Sequence, residues 1–98
     1  MVAAPTSFVV SSGSNTASTS LKVSGKGKVT LTASCNYEKR FQITNSSKGT
    51  SVITGYNDVY TSIETISMTF DAGDTVTITG INGQVYNQIS ATLTWDAL

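Results

Sequence analysis

The hydrophobic pattern has a period of two almost everywhere along this chain, and that feature restricts the fold more than any other. "RFQIT" puts Phe41 and Ile43 on one face, with Arg40, Gln42 and Thr44 on the other. "TISMTF" does the same with Ile66, Met68 and Phe70, "TVTIT" with Val76 and Ile78, and "QISATLTW" with Ile89, Ala91, Leu93 and Trp95. Successive side chains of a strand point to opposite faces, so each run offers one apolar and one polar face. No stretch carries the spacing of an amphipathic helix.

Turn residues punctuate these runs. "SFVVSS" reads as a short edge strand. In "TSLKVSGKGKVTLTAS", Leu21 and Val23 alternate with polar residues, Gly25 and Gly27 bracket a turn, and Val29, Leu31 and Ala33 resume the pattern, which predicts a hairpin or a strand with a bend. "NSSKGT", "DAGD" and "GINGQ" read as turns or loops. About eight short strands at this spacing predict an all-β fold, an antiparallel β-sandwich of jelly-roll or immunoglobulin-like type. Leu31, Phe41, Ile43, Ile66, Met68, Phe70, Val76, Ile78, Leu93 and Trp95 are its expected core.

A chain of 98 residues suits one domain with a thin core and little room for a deep active site. Residues 1–6 read as a linker end and 7–98 as a single module. "MVAAPTS" lacks the basic and apolar regions of a signal peptide and reads as an initiator Met ahead of that linker, as expected of a module from a larger multidomain protein. Charged residues make up only 12% and Ser and Thr are abundant. That balance suits strands and an extracellular or secreted surface. Cys35 is the sole cysteine, so no intrachain disulfide forms and a buried, inert thiol is expected. No apolar run is long enough to span a bilayer, and no membrane partner is expected.

Charge is uneven along the chain. Lys22, Lys26, Lys28, Lys39, Arg40 and Lys48 form a basic stretch with Glu38 as its one acid, while Asp58, Glu64, Asp71, Asp74 and Asp96 follow. Interleaving of the halves within one fold is expected to cancel most of this asymmetry. Nucleic-acid binding would need a broader basic stripe with interleaved aromatics, and none is expected.

The sequence contains no histidine, which removes Ser-His-Asp and Cys-His catalysis, and no enzymatic activity is expected. Asp71 and Asp74 flank a four-residue turn instead of facing each other across a cleft, as glycoside hydrolysis requires, so turn capping is their expected role. No cofactor is expected. A structural calcium held by Asp71, Asp74 or Asp58 with Asn and backbone oxygens is the one the acids admit, without the D-x-D-x-D-G spacing. "GKGK" is not a phosphate loop, because Lys28 runs directly into the Val29 strand. "NSS" at Asn45 matches the glycosylation pattern by composition alone.

Exposed aromatics remain. Tyr37, Tyr56, Tyr60 and Tyr86 all fall near predicted loops or strand ends. Sugar rings present apolar C–H faces that stack on Tyr, while amides and cations serve the hydroxyls and carboxylates. Tyr56 and Tyr60, with Asn57 and Asp58 between them, read as a platform of this kind. Lys22, Lys39 and Arg40 are the basic residues placed to contribute.

The order "SLKVSGKGKVTLTAS", "RFQITNSSKGT", "TISMTFDAGDTVTITG" and "NQISATLTW" resembles the small noncatalytic β-sandwich modules appended to pectate lyases and other plant-cell-wall enzymes, including carbohydrate-binding modules that recognise pectin. The likeness runs from Ser20 to near the end of the chain, on generic glycine turns between Thr-rich strands. It implies noncatalytic binding of a plant cell-wall polysaccharide on behalf of an attached secreted enzyme. Pectin-binding members pair lysines with galacturonate carboxylates, a role the likeness gives to Lys22. Gly80 stands where a Lys often follows the "TIT" strand, which brings in neutral hemicellulose or β-glucan beside pectin. The rival reading is a structural or adhesive β-sandwich domain of a virion or bacterial surface protein, with contacts from protein to protein.

Overall fold

The computed structural model describes residues 6–55, 60–84 and 86–98. Eight strands follow one another: β1 (Thr6–Val10), β2 (Thr16–Lys22), β3 (Gly27–Cys35), β4 (Lys39–Asn45), β5 (Thr50–Ile53), β6 (Ser62–Phe70), β7 (Thr75–Asn82) and β8 (Ile89–Ala97). They form two four-stranded sheets, ordered β1-β8-β3-β6 and β2-β7-β4-β5, with antiparallel ladders throughout. Strand β1 pairs with β8, β2 with β7, β3 with β6 and β4 with β5. The chain is therefore a long hairpin of paired strands, rolled so that alternate pairs fall in opposite sheets. That is the jelly roll, and the immunoglobulin-like alternative is set aside.

The alternation builds the core as anticipated. Leu31, Phe41, Ile43, Phe70, Val76 and Ile78 are buried, together with Val10, Val29 and Ile89. Phe8 and Phe41 meet edge to face with centroids 6.2 Å apart, the arrangement the ring quadrupole favours. Gly80 sits beneath this pair: a β-carbon there would lie 2.4 Å from Val10 Cγ2 and 3.1 Å from Phe8 Cε2. A lysine at residue 80 would point into the core, not toward a ligand.

Two expectations need correcting. The segment from Leu21 to Ala33 is no hairpin: β2 and β3 belong to different sheets, and the Gly25 turn carries the chain across the sandwich. Ile66, Met68, Leu93 and Trp95 pack against the core but are only half-buried. Strand β6 is a sheet edge. Among the described residues β1 pairs with β8 from Thr6 opposite Leu93 to Val10 opposite Ile89.

The charged halves do interleave. Lys28 stands opposite Asp96 on the neighbouring strand. Lys48 pairs with Asp71 and, at 3.1 Å, with Asp74.

Strand direction sorts the connections to two ends. One end gathers the loops β1–β2, β3–β4 and β7–β8 and the connection from β5 to β6. The other gathers the turns β2–β3, β4–β5 and β6–β7.

Candidate loop-end binding site

Three buried asparagines shape the loops, each in the same two-handed way. Asn36 Oδ1 accepts from the backbone N–H groups of Glu38 and Lys39 at 2.8 and 3.0 Å, and its Nδ2 donates to Thr61 Oγ1 at 3.2 Å. Asn82 Oδ1 accepts from the Gln84 N–H at 3.0 Å, and its Nδ2 donates to the Asn87 carbonyl at 2.7 Å. Asn45, at the opposite end, accepts from Ser47 and Lys48 and donates to Asp74. In each the side-chain oxygen closes a local turn; the amides of Asn36 and Asn45 reach a second segment, while that of Asn82 closes the β7–β8 loop on itself.

At the first end this joins the loops into one surface. The Gly83 N–H donates to the Glu38 carbonyl at 2.7 Å, and the Asn82 N–H donates to the Asn15 carbonyl at 2.7 Å. Tyr37 lies between Asn36 and Glu38, Tyr60 adjoins Thr61, and Tyr86 adjoins Asn87. Each of the three tyrosines is thus one residue from this network. Tyr37, Tyr60 and Tyr86 are 38%, 76% and 91% exposed. Gln84 and Asn87, also exposed, place amides beside Tyr86. Lys39 and Arg40 open β4 at this end, half-buried.

The sequence-predicted site is therefore only partly gathered. Tyr60, Lys39 and Arg40 share the end. Tyr56, Asn57 and Asp58 lie outside the described residues. Lys22 is elsewhere: its partner on β7 is Thr75, whereas that of Lys39 is Asn82. Seven residues along a strand put Lys22 about 23 Å from the tyrosine end. Tyr37 and Tyr86 join Tyr60, and Gln84 and Asn87 are additions that sequence reasoning missed. A Gln or Asn in a loop looks the same whether or not a tyrosine stands beside it.

Chemistry at the opposite end is structural. Asp74 is buried and its Oδ2 accepts from the Asp71 N–H and from Asn45 Nδ2, both at 2.9 Å. The Asp71 N–H, then Asn45, then the Lys48 ammonium hold the Asp74 carboxyl below the usual range. The Asp71 and Asp74 carboxylates raise Lys48 in turn. These carboxylates cap a turn and bind a lysine. Among the described residues no three Asp, Glu, Cys or His side chains gather into a metal-binding group. Asn45 of the "NSS" pattern is 1% exposed. The Cys35 thiol is buried, and burial pushes its pKa up.

No protein-family profile matches the chain, and no curated protein matches it. Among solved structures the chain is similar to one from the extra small virus (XSV) virus-like particle of the giant freshwater prawn Macrobrachium rosenbergii. The identity is 12%, the match covers 97% of this chain and 80% of that one, and the TM-score is 0.37. So loose an overlap carries no argument about what the chain does.

Proposed function

We propose that this jelly roll is a noncatalytic binding module that holds a polysaccharide against its tyrosine-bearing loop end. The observation that supports this most is the set of three exposed tyrosines on three connections, joined by the hydrogen bonds from Asn36 to Thr61 and from Gly83 to Glu38. Rings on fixed loops stack against sugar faces with little ordering cost, and the neighbouring amides of Gln84 and Asn87 serve sugar hydroxyls. Three rings spread over three connections suit several sugar units of a long chain more than one enclosed small molecule. Lys39 and Arg40 lie at the same end and favour an acidic plant cell-wall glycan such as pectin over a neutral hemicellulose or β-glucan. The module works outside the cell as part of a larger secreted protein, without catalytic activity or cofactor of its own, and without nucleic-acid or membrane partners. Affinity electrophoresis against homogalacturonan, xyloglucan, mixed-linkage glucan and mannan tests this reading. Retardation by at least one polysaccharide is expected, and none by any of them overturns it.

A second reading has one observation in its favour. Ile53 and Ile63, on the edge strands β5 and β6, are 41% and 77% exposed. Apolar groups on adjacent sheet edges suit protein contact, as in a structural or adhesive domain of a virion or bacterial surface protein.

A further inference from the structure

Strand β6 is an edge of its sheet, and it lacks most of the features that keep such edges apart. It pairs residue for residue with β3, from Cys35 opposite Ser62 to Gly27 opposite Phe70, without a bulge. Among the described residues no other strand pairs with it, and its sequence, "SIETISMTF", holds no lysine, arginine, proline or glycine. Edge strands are commonly blunted by short length, bulges, lysine or proline. On the same side of the facing sheet, β5 is blunted by its length of four residues. Residues 1–5 precede β1, at the opposite edge of the sheet, and residues 56–59 belong to the connection that enters β6 at Ser62. Away from that connection Thr65, Ser67 and Thr69 are exposed along the rest of the strand.

Burial along β6 is also unfinished. Leu31 and Val29 on β3 are buried, yet the residues opposite them, Ile66 and Met68, face the same core and are only half-buried. Ile63, on the outer face, is 77% exposed. Glu64 is the one charge on the strand, and it faces inward, where its Oε1 accepts from the Gly55 N–H. An inward charge can discourage edge pairing, but this one already has a donor in its own chain. The formal net charge of +0 adds no long-range repulsion between copies.

From this edge we infer that β6 pairs antiparallel with β6 of a second copy, about a two-fold axis through Ile66, joining two four-stranded sheets into one. This register uses the whole strand, with Ser62 of one copy opposite Phe70 of the other. On the inner side Ile66 meets its own counterpart at the axis, so each copy covers apolar surface that the other leaves open. Glu64 falls opposite Met68 and not opposite Glu64, so no like charges meet. On the outer side Thr65 falls opposite Ser67 and Ile63 opposite Thr69, neutral pairs that suit an antiparallel ladder. One sequence thus supplies both complementary halves, as an isologous contact requires, and this favours a second copy over an unrelated strand. The contact is a single ladder with a row of side chains on each face, small for a permanent dimer, so it comes apart on dilution. The axis sends the tyrosine ends of the two copies to opposite ends of the pair, and the pairing is independent of the glycan reading.

Sedimentation equilibrium of the full chain over a thousandfold range of concentration tests this. The mean mass should rise from that of one chain to that of two and stop there. Thr65→Lys/Ser67→Lys, at two exposed positions, places lysine opposite lysine twice and should leave single chains at every concentration, with melting at low concentration as in the wild type. Thr65→Glu/Ser67→Glu should behave in the same way alone, and an equal mixture of the two variants should restore a pair with one chain of each. Amide exchange across residues 62–70 should slow in the wild type as concentration rises, and not in the lysine variant. A wild type that stays single throughout overturns the inference and leaves the edge to a different protein. So does a pair that the lysine variant leaves intact, a mixture that fails to pair, or growth past two chains.

Discussion

Trp95 lies across the backbone of Gly27: a β-carbon on residue 27 would stand 2.1 Å from Cζ2 of the indole and 2.4 Å from Cη2. Gly27 stands opposite Ala97 and Val29 opposite Trp95, so the ring reaches diagonally along β3 and closes the lower end of the core. No methyl group fits under it. Gly27→Ala should therefore destabilise by about 1–3 kcal/mol, as overpacking does, and should move Trp95 emission to longer wavelength as the ring is pushed toward water. Urea unfolding followed by fluorescence checks both. Unchanged stability and emission would show that the indole is not held there.

Phe70 and Gly80 test the interior from two directions. Phe70 is 1% exposed, and Phe70→Ala should cost about 3–5 kcal/mol. Gly80→Ala forces a methyl group into Val10 and Phe8 and should cost about 1–3 kcal/mol. A loss below about 1 kcal/mol for Phe70→Ala would contradict its place in the core.

The sequence made Phe41, Ile43, Phe70, Val76 and Ile78 legible as core because strict alternation leaves one face for burial. It made Ile66 and Met68 look equivalent, and they are not, since nothing local to "TISMTF" says that β6 lies at a sheet edge. The Gly25 turn was misread for a similar reason: the same glycines serve a hairpin or a crossing between sheets, and only the long-range pairing of β2 with β7 decides which. Asn36, Asn45 and Asn82 looked like ordinary loop residues, yet they are buried: the amides of Asn36 and Asn45 tie two segments together and that of Asn82 closes its own loop. For the site, Tyr60, Lys39 and Arg40 were readable together, whereas the register that sends Lys22 to the far end was not.

Protonation links the lower turns to stability. The carboxyl of Asp74 is depressed in the folded chain, so its contribution is present above the unfolded value of about 3.9 and is lost as pH falls through the lower folded value. Lys48 is raised, so its contribution is present below about 10.4 and is lost as pH rises through the higher folded value. The melting temperature should fall at both extremes. Asp74→Asn should flatten the acid limb, and an unaltered acid limb in that variant would assign the loss to other carboxylates.

The Cys35 thiol is fully buried and donates weakly to the Ala33 carbonyl at 3.5 Å. Its raised pKa and lack of access should make labelling by a disulfide reagent at pH 8 slower than in urea by at least about a hundredfold. Rapid labelling of the folded chain would mean that β3 opens at its upper end.

Loop order and glycan binding should be coupled. Asn36→Ala removes the bond to Thr61 and the side-chain acceptor of the Glu38 N–H, and leaves the Lys39 N–H with the Asn36 backbone carbonyl at 3.3 Å, at a cost of about 1–3 kcal/mol. No tyrosine is altered, yet polysaccharide affinity should fall because the rings lose their common frame. Hydrogen exchange across residues 36–39 together with a binding isotherm separates the two effects.

The most direct measurement is calorimetry of the polysaccharide that retards the chain most, on the wild type, Tyr60→Ala, Tyr86→Ala and Lys22→Ala, each with a melting curve beside it. The account predicts that both tyrosine variants melt as the wild type does and bind at least tenfold more weakly, while Lys22→Ala, about 23 Å away by strand spacing, binds normally. Normal binding by both tyrosine variants, or loss confined to Lys22→Ala, would contradict a binding face at the tyrosine end.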